Sequence, residues 1–501
     1  MSNRLLRGLG VGAAITALWL GMIAGPAAAA GSVRWVDNNG AGGGGPKACA
    51  SATYSTIQAA INATPAWGTV KVCPGTYPEQ LVVTKTGVTV ESARLHAAHI
   101  VAPASLDEFD GEASLVLLNG WADKFVGFDI GIASGDLPPT TDATSGVSAQ
   151  DGVCAHVDTA IWSLNGRQTI RRNIIHPNGP FSLSGECGYD YGIVFGASEP
   201  VATTSSGTIL TGSSVSRASS NKISDFRFGG ILAEGSNVKV HIDHNRLIFL
   251  HTNDPGCSLP FLGATSASPA ACIFGAPDKI AAKTSKSLFA HTSSGAGATP
   301  AQVNSAFIES FGIGAEGGAA VDVDYNNVHS GLEADISNSI LAAGIWLIDA
   351  DGTSRVFNNV VTNSWIGIAT GTGEATPVSN PVAKPAFATD GIEISKNTSE
   401  NNWLGIGIDS DSANVYLNIA TANFFEGIEL LPEVASNVIH GNNFAFNYNE
   451  SNGVGDAYDC DDQSTGTGTD GTNNTWTNNL GLTSNPDGLC TDPAPPGAAT
   501  H

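Results

Sequence analysis

Acidic side chains that recur at one point of a repeating pattern are the residues of this 501-residue chain best placed to do chemistry together. Glu234, Asp349 with Asp351, Asp409 with Asp411, and Glu429 with Glu433 each follow a Gly-Ile pair, and Asp351 and Asp411 each stand seven residues before an Asn. Such a row can hold Ca²⁺ through oxygen ligands, or supply an acid/base pair for glycoside cleavage. The same residues also suit solvated turns, where Asp caps its own backbone. Glu234, Asp349, Asp351, Asp409 and Asp411 are therefore the candidate Ca²⁺ ligands. Asp322 and Asp324 alternate and share one outward face, while Glu333, Asp335, Glu393 and Glu426 flank strands. His176 and His329 each follow an Asn by three residues, and His251 ends a strand; they either meet at a metal or sit singly in turns. Trp346, Trp365 and Trp403, expected to be exposed, either stack on sugar rings or pack; Trp346 and Trp403 are the candidate substrate contacts.

The elements that position these residues are repeats. Gly-Ile, a short alternating strand, a polar turn, a second strand and an Asn recur from Gly230 to Asn245, Gly344 to Asn359, Gly405 to Asn418 and Gly427 to Asn443. Gly344 to Gly367 is 23 positions and Gly405 to Gly427 is 22. A period in the twenties with strand-type residues means a solenoid, because one such coil cannot bury its inward face alone. Stacked Asn residues can form a ladder of side-chain amide bonds, and Gly supplies backbone angles that other residues resist.

Composition agrees. Charged residues are only 14%, hydrophobic ones 42%, and there are 60 Gly, which suits a β-protein with many tight turns and argues against disorder. A net charge of -24 argues against binding nucleic acid or anionic lipid. Residues 1–30 read as a secretory signal, with Arg4 and Arg7 before the apolar run Val11 to Ala24 and small residues at Ala28-Ala29-Ala30. Its removal gives 20 - 46 = -26 and a secreted, periplasmic or cell-surface chain with no membrane partner. Eight Cys in such a chain suggest disulfides, and sequential pairing (49–73, 154–187, 257–272, 460–490) is expected where only nearby segments touch.

Tyr54-Ser55-Thr56-Ile57-Gln58-Ala59-Ala60-Ile61, then Gly68-Thr69-Val70-Lys71-Val72, then Pro74-Gly75-Thr76-Tyr77-Pro78-Glu79 resemble the opening of right-handed parallel β-helix proteins of the pectin-lyase-like superfamily. The resemblance implies an all-β, right-handed parallel β-helix with an N-terminal capping helix and a disulfide-closed C-terminal segment. The expected division is a signal at 1–30, a cap and first coils at 31–100, the helix with inserted loops at 101–455, and a C-terminal cap and tail at 456–501. The loops fall at His176 to Asp190, Ser198 to Ser220, Asn253 to Thr299 and Gly371 to Ala388.

For activity the resemblance implies a polysaccharide partner, a monomer, and elimination from a uronate-containing glycan by an Arg or Lys base near Ca²⁺. Arg172 and Arg246 are the candidate catalytic bases, from the cluster Arg171-Arg172, Arg227, Lys239 and Arg246. Val240-His241-Ile242-Asp243-His244-Asn245 is similar to the Trp-Ile-Asp-His segment of pectate lyases, with His241 where Trp is usual. The Arg-x-Pro-x-x-Arg segment of those lyases and the Arg-x-Lys of polygalacturonases do not occur. The alternative is a non-catalytic β-helix that serves in binding, adhesion or metal handling.

Overall fold

The computed structural model describes residues 32–38, 47–103, 105–109, 112–133, 156–164, 166–178, 188–196, 215–224, 226–250, 308–331, 341–371, 390–447 and 457–493. The expected signal, most of the expected inserted loops, His251, and Cys154, Cys187, Cys257 and Cys272 lie outside the described residues.

Short strands with apolar residues at alternate positions cannot fold alone, and here they stack. Thr69–Val72 buries Val70 and Val72 and turns Thr69 and Lys71 outward. Each coil visits three sheets in turn: Lys239–Asp243 lies in the first, Arg246–Leu250 in the second and Ile308–Glu316 in the third, before Ala320–Asp324 starts the next coil. Among the described residues the first and third sheets have 13 strands and the second has 9. All their pairings are parallel; the antiparallel exception is Glu108–Phe109 against Glu112–Leu118. The protein is thus a parallel β-helix, with the right-handed crossover that right-twisted strands favour. The first sheet runs through position 100 without a break, since Thr89–Ser92 pairs with Lys124–Val126.

The core is a set of columns along the helix axis. Val90, Phe125, Ile170, Ala218, Ile242 and Val323 follow one another in register, all buried. At the corner between first and second sheets an Asn ladder runs from Asn173 through Asn221, Asn245, Asn326, Asn359, Asn397, Asn418 and Asn442 to Asn479. Each Nδ2 donates to the next Oδ1 over 2.9–3.1 Å. A second ladder, Asn402, Asn423, Asn447, ends on Asp459, which accepts from Asn447 Nδ2 at 2.9 Å.

The repeated Gly has a different cause from the one its type suggests. Gly230, Gly312 and Gly427 are not among the positive-φ residues; a Cβ built on each would meet the carbonyl oxygen of the next coil (Gly312, Gly344 and Asp459) at 2.6 Å. Space, not backbone angle, excludes a side chain there. The left-handed angles at the Asn corner fall to residues with side chains, including Arg172, His244, Tyr325 and Leu417.

Both ends are closed. The helix Ile57–Ala63 buries Ile57, Ala60 and Ile61. Glu79 accepts from Ile57 N at 2.8 Å and Gln58 N at 2.9 Å, placing a carboxylate on the helix's free N–H groups. Cys49–Cys73 staples this cap and Cys460–Cys490 staples the other end, as sequential pairing predicts.

Candidate functional site

The expected acids line the corner between third and first sheets without forming one cage. Glu234 pairs in register with Glu316, whose carboxyl is raised by burial and by Asp349. Asp409 is pushed up to about 7 by burial and by Glu433 and Asp411. Asp351 serves its turn: Oδ1 accepts from Thr353 N at 2.8 Å and Thr353 Oγ1 at 2.6 Å, which with Lys239 nearby holds its carboxyl low. Asp411 Oδ1 accepts from Ala435 N at 2.8 Å. Among the described residues, the acids whose ligand atoms lie within 4.8 Å of one another are instead Glu426, Glu429 and Asp461. None of the five acids expected to hold Ca²⁺ belongs to that group.

The expected bases stand elsewhere. Arg172 is exposed at the first-to-second-sheet corner with φ 55°, and its carbonyl accepts from His96 Nε2 at 2.7 Å. Arg246 is exposed at the start of a second-sheet strand. The first sheet separates both from the acidic corner, so neither stands beside a bridging cation there.

Trp403 is buried rather than exposed. It stacks between Trp365 (5.0 Å, 8°) and Phe425 (5.3 Å, 11°), so it is placed to pack. Trp346 is half-buried on the outer face of the third sheet, 5.6 Å from Phe311. His176 and His329 do not meet: His176 binds Asp129 at 2.7 Å and His329 binds Thr362 at 2.9 Å.

The structure does assemble chemistry on the outer face of the first sheet. Strict alternation turns every second residue outward, and parallel register aligns them across coils. One row reads Arg217, His241, Asp322, Arg355, Glu393; the next reads Ser219, Asp243, Asp324, Phe357, Ser395, Tyr416, His440. Arg217 forks onto Asp243, Nε to Oδ1 at 2.7 Å and an NH2 to Oδ2 at 2.6 Å. His244 Nδ1 lies 2.9 Å from Asp243 Oδ2, and Ser219 Oγ donates to the same oxygen at 3.1 Å. Burial alone would raise Asp243, but Arg217 and His244 hold it below the usual carboxylate range. His241 Nε2 lies 2.6 Å from Asp324 Oδ1, and Arg355 Nε donates to Asp322 Oδ1 at 2.7 Å. The Tyr416 hydroxyl donates to Glu393.

This face is reachable. The side chains of Arg217, His241 and Arg355 are 49%, 34% and 49% exposed. Tyr325 is exposed and stacks on His244 (5.2 Å, 22°), and Tyr416 stacks on His440 (5.1 Å, 7°). If His241 donates Nε2–H to Asp324, its Nδ1 becomes a proton acceptor, an assignment set by the hydrogen bond.

The outward Asp322 and Asp324 and the segment Val240–Asn245 were legible from sequence; Arg217, Arg355 and Tyr325 were not singled out. A usable signal exists: Arg217, His241, Asp322, Arg355 and Glu393 each stand four residues before a ladder Asn.

The class these sheets define is the three-sheet parallel β-helix. Comparison with family models finds no match, and comparison with curated proteins finds none. Among solved structures the chain is similar to the Dettilon tailspike protein, at 14% identity and TM-score 0.45 over 84% of this chain and 62% of that one. It is similar to the periplasmic alginate epimerase AlgG at 12% identity and TM-score 0.38, over 76% and 63%. A pectin methylesterase in complex with a hexasaccharide matches at 12% and 0.30, over 74% and 80%. The chain thus spans under two-thirds of the first two. The similarity concerns fold alone.

Proposed function

We propose that this is an exported, polysaccharide-active β-helix protein that lays a glycan along the outer face of its first sheet, with His241 as the group that moves a proton. The observation that carries the reading is His241, held at 2.6 Å by Asp324 on an exposed row beside planar groups. Coils about 4.8 Å apart offer hydrogen-bonding side chains at regular intervals. Tyr325 with His244, and Tyr416 with His440, offer flat surfaces for sugar rings. A neutral His with a free Nδ1 can take a proton from a sugar hydroxyl, a water or a carbon beside a carboxylate. Two disulfides suit an oxidising compartment.

Charge bears on the glycan. The named face carries Asp243, Asp322, Asp324 and Glu393 against Arg217 and Arg355, on a chain of net charge -24. A neutral polysaccharide meets no repulsion here, whereas a uronate chain needs bridging cations such as Ca²⁺. A Ca²⁺-dependent uronate lyase therefore ranks behind action on a neutral glycan. The second reading, a binding module without catalysis, is favoured by one feature: each named charge on this face already has a protein partner.

The test is a panel of neutral and uronate glycans, with and without Ca²⁺, read for binding, reducing ends and unsaturated products. Turnover of a neutral glycan, reduced about 100-fold or more by His241→Ala with binding retained, is the expected result. Full turnover in that variant would remove His241 from the mechanism. Binding that is weakened by Tyr325→Ala, without turnover of any glycan, would establish the binding module.

A further inference from the structure

We propose that Glu426, Glu429 and Asp461 form a divalent-cation site, selective for Ca²⁺, on the last coils of the third sheet. This lies on a different sheet from the glycan face and does not depend on it.

The site arises from a local break in alternation. A Cβ on Gly427 would point at Asp459, Asn447 and Phe444 inside the coil, and Ile428 is core. Two consecutive inward residues leave Glu426 and Glu429 both turned outward. Glu429 pairs in register with Asp461 of the next coil. One carboxylate oxygen of each residue lies within 4.8 Å of the other two.

Two independent facts point to a ligand. First, Glu426 is 1% exposed; its carboxyl takes a backbone hydrogen bond at Tyr458, but its Oε2 is buried with no hydrogen-bond partner among the described residues. A buried carboxylate oxygen without a donor is costly unless a positive charge or a proton meets it. Second, the preceding coil carries Leu404 and Gly407 at the registered positions. Further back, the row of Glu429 holds Ala369 and Trp346. Acids replace apolar or small residues only where the three converge, so the fold does not require them.

The donor set selects the ion. Three carboxylates and no nitrogen or sulfur make a hard, all-oxygen site, which suits Ca²⁺ with its loose geometry better than octahedral Mg²⁺ or thiophilic metals. Gln463 Nε2 donates to Glu429 Oε1 at 2.8 Å and Asp461 Oδ2 at 3.0 Å, so its carboxamide is at hand to turn its oxygen to an ion.

The experiment is calorimetric titration of chelator-treated full chain with Ca²⁺ and Mg²⁺, together with thermal melts. The expected result is one Ca²⁺ per chain with Kd at or below about 1 mM, weaker Mg²⁺, and a higher Tm with Ca²⁺. Glu426→Gln and Asp461→Asn should weaken binding at least tenfold and abolish the Ca²⁺ shift in Tm. Glu426→Gln should also raise the Tm of the metal-free chain by relieving repulsion, and Asp351→Asn should bind as wild type does. If Glu426→Gln does not fold, Asp461→Asn and the wild-type melts decide. No binding by wild type at millimolar Ca²⁺, or undiminished binding in both acid variants, would overturn the site and leave the cluster held by a proton.

Discussion

Buried carboxyls of opposite shift give this protein a two-sided pH response. Asp409, raised to about 7, keeps its proton in the folded chain while the unfolded chain loses it near 3.8. The stability this contributes is complete below about pH 4 and is lost as pH rises to about 7. Asp409→Asn should therefore match wild type near pH 4 and exceed it at pH 8, by on the order of 2–4 kcal/mol in urea unfolding with chelator present. Parallel curves for the two proteins would refute this. Asp243 has the reverse sign. Arg217 and His244 hold it low against the effect of burial, so its contribution is present above the ordinary carboxylate range and lost as pH falls through the folded value. The carboxylate types were legible in sequence. Their opposite shifts were not, because burial and the Arg217 fork depend on neighbours from other coils.

At the scale of the coil, the repeat is enforced by sterics at one corner and amide bonding at another. Gly230 lies against the Gly312 carbonyl, and a Cβ there would come within 2.6 Å of that oxygen and 2.9 Å of Phe226 Cε1. Gly230→Ala should destabilise by about 1–3 kcal/mol through forced separation of two coils. An unchanged urea midpoint would show that the neighbours give way. In the Asn ladder, Asn359 accepts from Asn326 N at 2.9 Å and from Asn326 Nδ2 at 3.0 Å, and its own Nδ2 donates to Asn397 at 3.0 Å. Asn359→Ala leaves buried groups on both sides unmet and should cost about 1–3 kcal/mol. Both elements were visible as Gly-Ile and Asn spacings. That the Gly answers to a carbonyl, and that left-handed angles fall to Arg172, His244 and Tyr325, follows only from stacking.

Over the whole molecule, stability is local, because each coil touches only its neighbours. Removing the C-terminal staple by Cys460→Ser with Cys490→Ser should cost about 2–5 kcal/mol, mainly in the last coils. Hydrogen exchange should then quicken in Val438–His440 and Thr475–Thr477 while Thr69–Val72 stays protected. Equal acceleration along the chain would mean that the solenoid melts as one unit. The net charge of -24 acts at this scale too, since it disfavours polyanionic partners wherever no cation bridges them.

What the chain's sequence determined is the coil: alternating apolar residues, Gly-Ile and Asn at a period near 22, an amphipathic helix at Ile57–Ala63 and two sequential disulfides. These are local preferences that stacking merely repeats. The tertiary structure decided which side chains become neighbours. It kept Arg172 and Arg246 apart from the acidic corner, sank Trp403 between two rings, and joined His241 to Asp324 across 83 residues of chain. The reason is register: inserted segments of unequal length separate the coils in sequence, so only the hydrogen-bonded pairing of strands fixes which distant residues share a rung.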